Sequence, residues 1–210
     1  ISYLALNFLS VVRPFPIGWD DIGSYLNRPH LLSSYGAFLP SMSQFQWEYL
    51  TAAAYTLFGS EEPIAATFAM EMTWAAGLFA VLAVYTFGRL FIGPRGGLIA
   101  AASYYMLPMV GHFSFADMKV DNAVFFTGAL AILAATVALF PKNDEKEKAP
   151  SQLLLVAGLL AGLSLGMKVT AILTVLLIFS LFAGSYLRSF GFVAATLLST
   201  GLLIFIGAIW

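Results

Sequence analysis

The sequence predicts an all-α protein, a polytopic transmembrane helix bundle of about seven helices, the first partial, with an amphipathic interfacial helix in the first outer loop. Composition is the first reason. Of 210 residues, 60% are hydrophobic and only 10% charged, whereas soluble domains are nearer half apolar and a quarter charged. The second reason is pattern: apolar runs near the roughly 20 residues a spanning helix needs recur along the chain, separated by short charged or Gly/Pro turns. The net charge of −1 says nothing about partners, because the placement of charge carries the information; the lack of any basic run argues against a nucleic-acid partner. There are no cysteines, so disulfides and thiolate metal sites are excluded. His30 and His112 are too few for a histidine-rich metal site.

The elements follow in order. "ISYLALNFLSVV" (1–12) is too short to span and lacks the basic start and small-residue cleavage site of a signal peptide. It reads as the outer end of a partial first span. Residues 13–62 form the first non-cytoplasmic loop, with prolines, aromatics, Arg13, Asp20, Asp21, Arg28 and Glu48. Within it, "SQFQWEYLTAAAYTLFG" (43–59) places Trp47, Leu50, Ala54, Leu57 and Phe58 on one helical face, with Ser43 as N-cap and Gly59 after the last turn. Such a helix lies along a membrane surface. Spans are expected over 64–92, ended by "GPRGG", over 97 to about 116, and over 122–140, with "DMKVD" (117–121) between the last two. "PKNDEKEKAP" (141–150) is a solvated cytoplasmic loop. Residues 152–187 exceed the needs of one helix and hold a single interior charge, Lys168, so two short spans turn near "GMK" (166–168). Arg188 precedes a last apolar run, 190–210. No internal repeat stands out. Residues 1–210 read as one transmembrane module, and as a fragment of a longer chain, since the sequence starts without Met and stops at an apolar run.

Loops alternate sides. Arg89, Arg95, Lys142, Lys146, Lys148 and Arg188 fall on one side, and Arg13, Arg28, Lys119 and Lys168 on the other. The positive-inside rule makes the first side cytoplasmic. Most acids, including Asp20, Asp21, Glu48, Glu61, Glu62, Asp117 and Asp121, then face away from the cytoplasm.

Three outer turns concentrate this chemistry: "GWDDIGSYL" (18–26), "FADMKVDNAVFF" (115–126) and "GLSLGMKVT" (162–170). Capping explains an isolated Asp pair, and snorkelling explains a lone lysine. Three such turns on one face suit chemistry better. A carboxylate takes a proton from a hydroxyl nucleophile, and a lysine or arginine holds a phosphate. At a lipid–water boundary that combination suits a sugar carried on a polyprenyl phosphate.

These motifs resemble the N-terminal membrane module of the GT-C superfamily of glycosyltransferases, in the branch of protein O-mannosyltransferases and lipid A aminoarabinose transferases. The likeness rests on Asp20-Asp21 followed by Tyr25, on Asp121 followed by Phe125 and Phe126, and on "GLSLGMKVT" with Lys168 and Thr170. It covers nearly the whole chain. Two departures are Glu71, where members often carry arginine, and the lack of a Pro-Pro-Leu motif before the interfacial helix. The resemblance implies an integral protein of a bacterial or archaeal plasma membrane, with its active site on the non-cytoplasmic face. It implies inverting transfer of a sugar from a polyprenyl-phosphate-linked donor to an acceptor hydroxyl on protein, lipid or glycan. Asp20 and Asp21 would be catalytic, with Asp20 as general base. Asp121, Lys168, Lys119, Tyr25 and Arg28 would bind substrate. No protein metal ligand is assigned, and the one candidate cofactor is a divalent metal ion, since some branches need one and others do not and carboxylates suit either case. Two alternatives differ in class: a non-catalytic GT-C-like subunit of a larger membrane complex, and a secondary transporter. Transporters place charge near the midplane, whereas here charge gathers at one face.

Overall fold

A computed structural model describes residues 2–12, 21–36, 46–115, 118–140, 151–181 and 193–198. Arg13, Asp20, Ser43, Asp117, the 141–150 loop and most of the last apolar run lie outside the described residues. The chain divides into two compact units, Ile1–Phe126 and Thr127–Ile209.

The first unit opens with α1 (Ser2–Val11). It exposes Tyr3, Leu6 and Leu9 and buries Asn7 and Val11. A π-helical turn at Asp21–Tyr25 leads into α2 (Asn27–Tyr35), and α3 follows at Gln46–Phe58. A helix was expected over 43–59; its end is set by Gly59, whose φ of +96° is left-handed and whose N–H donates to the Tyr55 carbonyl at 2.9 Å. The protein-facing side of α3 is Gln46, Trp47, Glu48, Thr51, Ala52, Ala54 and Tyr55. Leu50, Leu57 and Phe58 form an exposed apolar edge. The expected apolar face therefore divides, with Trp47 and Ala54 turned to the protein and the rest left open.

Pro63 opens α4 (Pro63–Met106) at its first helical position, where its missing N–H costs nothing. A straight helix of 44 residues would run about 66 Å, twice a bilayer core. It is not straight. Gly93 sits at φ 81°, ψ 176°, and Pro94 follows, so the chain folds back between a first arm, 63–92, and a second, 94–106. The arms touch through glycine: a Cβ on Gly88 would lie 2.8 Å from the Gly97 Cα, and one on Gly97 would lie 2.7 Å from the Tyr85 carbonyl oxygen. Phe79 and Tyr104, on opposite arms, stack on consecutive residues of the next helix, Phe126 (centroids 5.4 Å apart) and Phe125 (4.7 Å). Exposed Arg89 and Arg95 flank the fold-back, which falls at the "GPRGG" where the 64–92 span was expected to end.

The second arm ends sooner than hydropathy suggests. Instead of running to about 116, it stops at Met106, and Leu107 is extended at φ −62°, ψ 126°. Pro108 is the cause: its ring drives the preceding residue out of the helical region. A π-helical turn at Met109–Ser114 follows. Asn7 of α1 ties this region down, donating at 2.7 Å to both the Tyr105 hydroxyl and the Gly111 carbonyl.

Helix α5 (Asp121–Leu139) begins in the first unit and continues into the second. There it packs with α6 (Ser151–Met167) and α7 (Ile172–Leu181). Their shared core is Ala131, Ala135, Ala138, Leu154, Ala157, Ala161 and Ile178. Small residues four apart let helix backbones approach closely, the usual packing of helices in lipid. Between α6 and α7, Lys168 is extended at φ −156°, ψ 127°, ahead of a 3-10 turn at Val169–Ala171. A Cβ on Gly128 would contact both Ser164 and Thr174, so the chain doubles back at Lys168, as expected for a turn near "GMK". Helices α4 and α5 are each long and apolar enough to cross a membrane.

Candidate active site

The first two acidic turns meet on one apolar cluster. Tyr25 and Leu26, at the end of the first turn, pack with Met118 of the second, together with Val11, Ala54, Tyr55, Ala65, Ala69 and Met70. The second turn alternates: Met118 and Val120 are buried, while Lys119 between them and Asp121 after them are half-buried. Anchoring the apolar pair leaves the charged pair at the cluster's margin. Gly77 of α4 makes the seat, since a Cβ there would lie 2.7 Å from Asn122 Nδ2 and 2.9 Å from the Phe115 ring.

Asp121 is the first residue of α5. A carboxylate there is favoured by the helix dipole. Asp21 opens the π-helical turn that ends at half-buried Tyr25. Asp20 and the Asp21 side chain lie outside the described residues. The structure thus brings the segments bearing Asp21, Tyr25, Lys119 and Asp121 onto one cluster. Lys168 belongs to the second unit, half-buried at the α6–α7 break. Among the described residues, no three His, Asp or Glu side chains stand together as metal ligands.

Arg28 has a partner that sequence reading did not assign. Its Nη1 donates to Glu48 Oε1 at 3.3 Å, joining α2 to α3. The Glu48 side chain is 4% exposed and that of Arg28 31%. The other carboxylate oxygen, Oε2, is buried without a hydrogen-bond partner among the described residues. Burial pushes the Glu48 carboxyl above the ordinary value of 4.5, outweighing its backbone hydrogen bond and Arg28, which both act to lower it. Beside this pair, the His30 and Tyr55 rings lie 5.5 Å apart, and burial raises the Tyr55 hydroxyl to about 12. One residue before Glu48 in α3, Trp47 Nε1 donates to Thr73 Oγ1 at 3.2 Å. The signal for Glu48 was its spacing: with Thr51, Ala52 and Tyr55 it repeats at three, four and seven residues, the period of a buried helix face.

Comparison with known proteins agrees with the resemblance read from the motifs. A crystal structure of ArnT from Cupriavidus metallidurans bound to undecaprenyl phosphate superposes with a TM-score of 0.74 at 16% identity, covering 99% of this chain and 40% of that one. That likeness shows the fold, and the chain spans 40% of that protein's length. No curated protein matches the chain. The family model described as dolichyl-phosphate-mannose-protein mannosyltransferase matches residues 45–210, well over half of the sequence, and the chain therefore belongs to that family.

Proposed function

We propose that the chain is the membrane module of a glycosyltransferase that takes a sugar from a polyprenyl-phosphate-linked donor at the non-cytoplasmic face of a bacterial or archaeal plasma membrane. One observation carries the reading: the segments bearing Asp21–Tyr25 and Lys119–Asp121, distant in sequence, share a single apolar cluster. Family membership supports it, as does the undecaprenyl phosphate bound to the ArnT of like fold. The bundle would span the membrane through α1, both arms of α4, and α5 to α7. The exposed edge of α3, Leu50, Leu57 and Phe58, would lie in the lipid–water boundary.

The chemistry runs as a single displacement. The Asp20 carboxylate, with Asp21 beside it, takes the proton of the acceptor hydroxyl. The freed oxygen attacks the anomeric carbon from the face opposite the phosphate. The carbon–oxygen bond to phosphate breaks, and polyprenyl phosphate leaves with the electron pair, so the configuration inverts. Asp121 and Tyr25 position the substrates, while Lys119 and Arg28 offset the charge on the leaving phosphate.

The test uses the intact protein in detergent, a panel of polyprenyl-phosphate sugars, and release of polyprenyl phosphate as readout, with and without EDTA. Asp20→Asn should cut release by about a hundredfold or more while the protein stays monodisperse. Full activity in that variant removes the base assignment. No release from wild type with any donor leaves the scaffold and transporter readings.

A further inference from the structure

We propose that Glu48 is a positioning residue: it holds the Arg28 guanidinium at the rim of the first acidic turn so that the remaining N–H groups of Arg28 grip the phosphate of the donor. The proposal rests on the reading above for the identity of the ligand, and on the ion pair for its geometry.

The pair makes poor sense as a stabilising device. Its 3.3 Å separation is longer than the 2.7–2.9 Å typical of a strong charge-assisted bond, about half an ångström over. Glu48 is almost fully buried, and burial outweighs Arg28 in setting its carboxyl. A buried ion pair of this kind often contributes less than apolar residues of the same volume would. What it does supply is orientation. An arginine carries five N–H donors in a rigid fork, and Glu48 engages only Nη1. The rest of the side chain reaches a partly open surface, while Glu48 is fixed in a helix tied to α4 through Trp47 and Thr73.

Arg28 is also in the right place. It lies two residues beyond Leu26, which packs with Met118 of the second acidic turn, in a helix that starts where the Asp21–Tyr25 turn ends. A fork held still there meets a phosphate with its conformational entropy already lost, which is how preorganisation raises affinity.

The probe is undecaprenyl phosphate, with its dissociation constant measured on the intact protein in detergent for wild type, Glu48→Ala, Glu48→Gln, Arg28→Ala and the Arg28→Ala/Glu48→Ala double variant. Glu48→Ala should weaken binding about tenfold, and Glu48→Gln about threefold because the amide keeps an acceptor for Nη1. In the Arg28→Ala background, Glu48→Ala should cost nothing further, since a positioning residue acts through the group it positions. A merely structural glutamate would weaken binding equally in both backgrounds. That result, wild-type affinity in both Glu48 variants, or a wild type that does not bind the probe overturns the proposal. Should Glu48→Ala fail to fold, the Glu48→Gln effect with and without Arg28 decides. Binding without sugar transfer from any donor would sink the transferase reading alone.

Discussion

Where the second unit packs alanine on alanine, the first is tied by side-chain hydrogen bonds, an ion pair and stacked rings. Five of the seven core residues shared by α5, α6 and α7 are alanine. Among the described residues, the links between distant segments of the first unit include Asn7 to Tyr105 and Gly111, Trp47 to Thr73, and Arg28 to Glu48. The contrast follows from what each unit must hold. Helices packed along their length need only close backbones. A chain that leaves its helices for turns at 21–25 and 109–114 has peptide groups and charges to satisfy there, and directional bonds do that. The acidic turns of the proposed chemistry lie in the unit that holds these directional bonds.

The hardest blow to this picture would come at the fold-back of α4. A side chain on Gly97 meets backbone on the facing arm, the Tyr85 oxygen at 2.7 Å and the Arg89 nitrogen at 2.9 Å. Backbone cannot move aside as a flexible side chain can. Gly97→Leu should destabilise by about 3 kcal/mol or more, read as loss of the monodisperse peak in detergent. A variant as stable as wild type would mean that the arms are not in contact. In the second unit, Ala157→Leu should cost about 1–3 kcal/mol by the same overpacking, seen as a lower unfolding midpoint.

Asn7→Ala sharpens the comparison because its expected cost is similar or smaller, about 1–3 kcal/mol for two lost hydrogen bonds, yet its consequence differs. Asn7 holds the Gly111 carbonyl, at the turn that leads to Met118 and Asp121. Sugar transfer per folded molecule should therefore fall further in Asn7→Ala than in an Ala157→Leu protein of equal midpoint. Equal activity in the two would show that the polar links do not serve the site.

Much of this was legible in the sequence, and the failures have causes. The fold-back at Gly93–Pro94 and the end of α3 at Gly59 are written in residues that no helix interior prefers, and the break at Lys168 in an apolar run too long for one span. The early end of α4 was written in Pro108 and overlooked, because "LPMVGHF" stays apolar and hydropathy does not register a lost N–H. The meeting of the first two acidic turns at Met118 was not legible. Met118 stands among charges in "DMKVD", and only the folded chain reveals that it is buried while Lys119 is half-buried. Glu48 and Arg28, twenty residues apart on different helices, are paired by tertiary packing that no local pattern records.

The smallest expected effect concerns the sign of the Glu48 contribution to stability. Burial raises its folded-state carboxyl above the ordinary 4.5. Between that value and the raised one, the folded protein binds more protons than the unfolded chain, so stability falls as pH rises. The contribution is complete below about 4.5 and is lost as pH climbs through the raised value. Glu48→Gln keeps the shape and cannot titrate. The unfolding midpoint of wild type minus that of Glu48→Gln, measured across this range, should therefore decrease with rising pH, with other titrations cancelling in the difference. A difference that grows with pH would mean that the attraction of Arg28 prevails over burial. The pair would then stabilise the first unit outright, and its polar links would resemble the alanine core of the second in being there for stability.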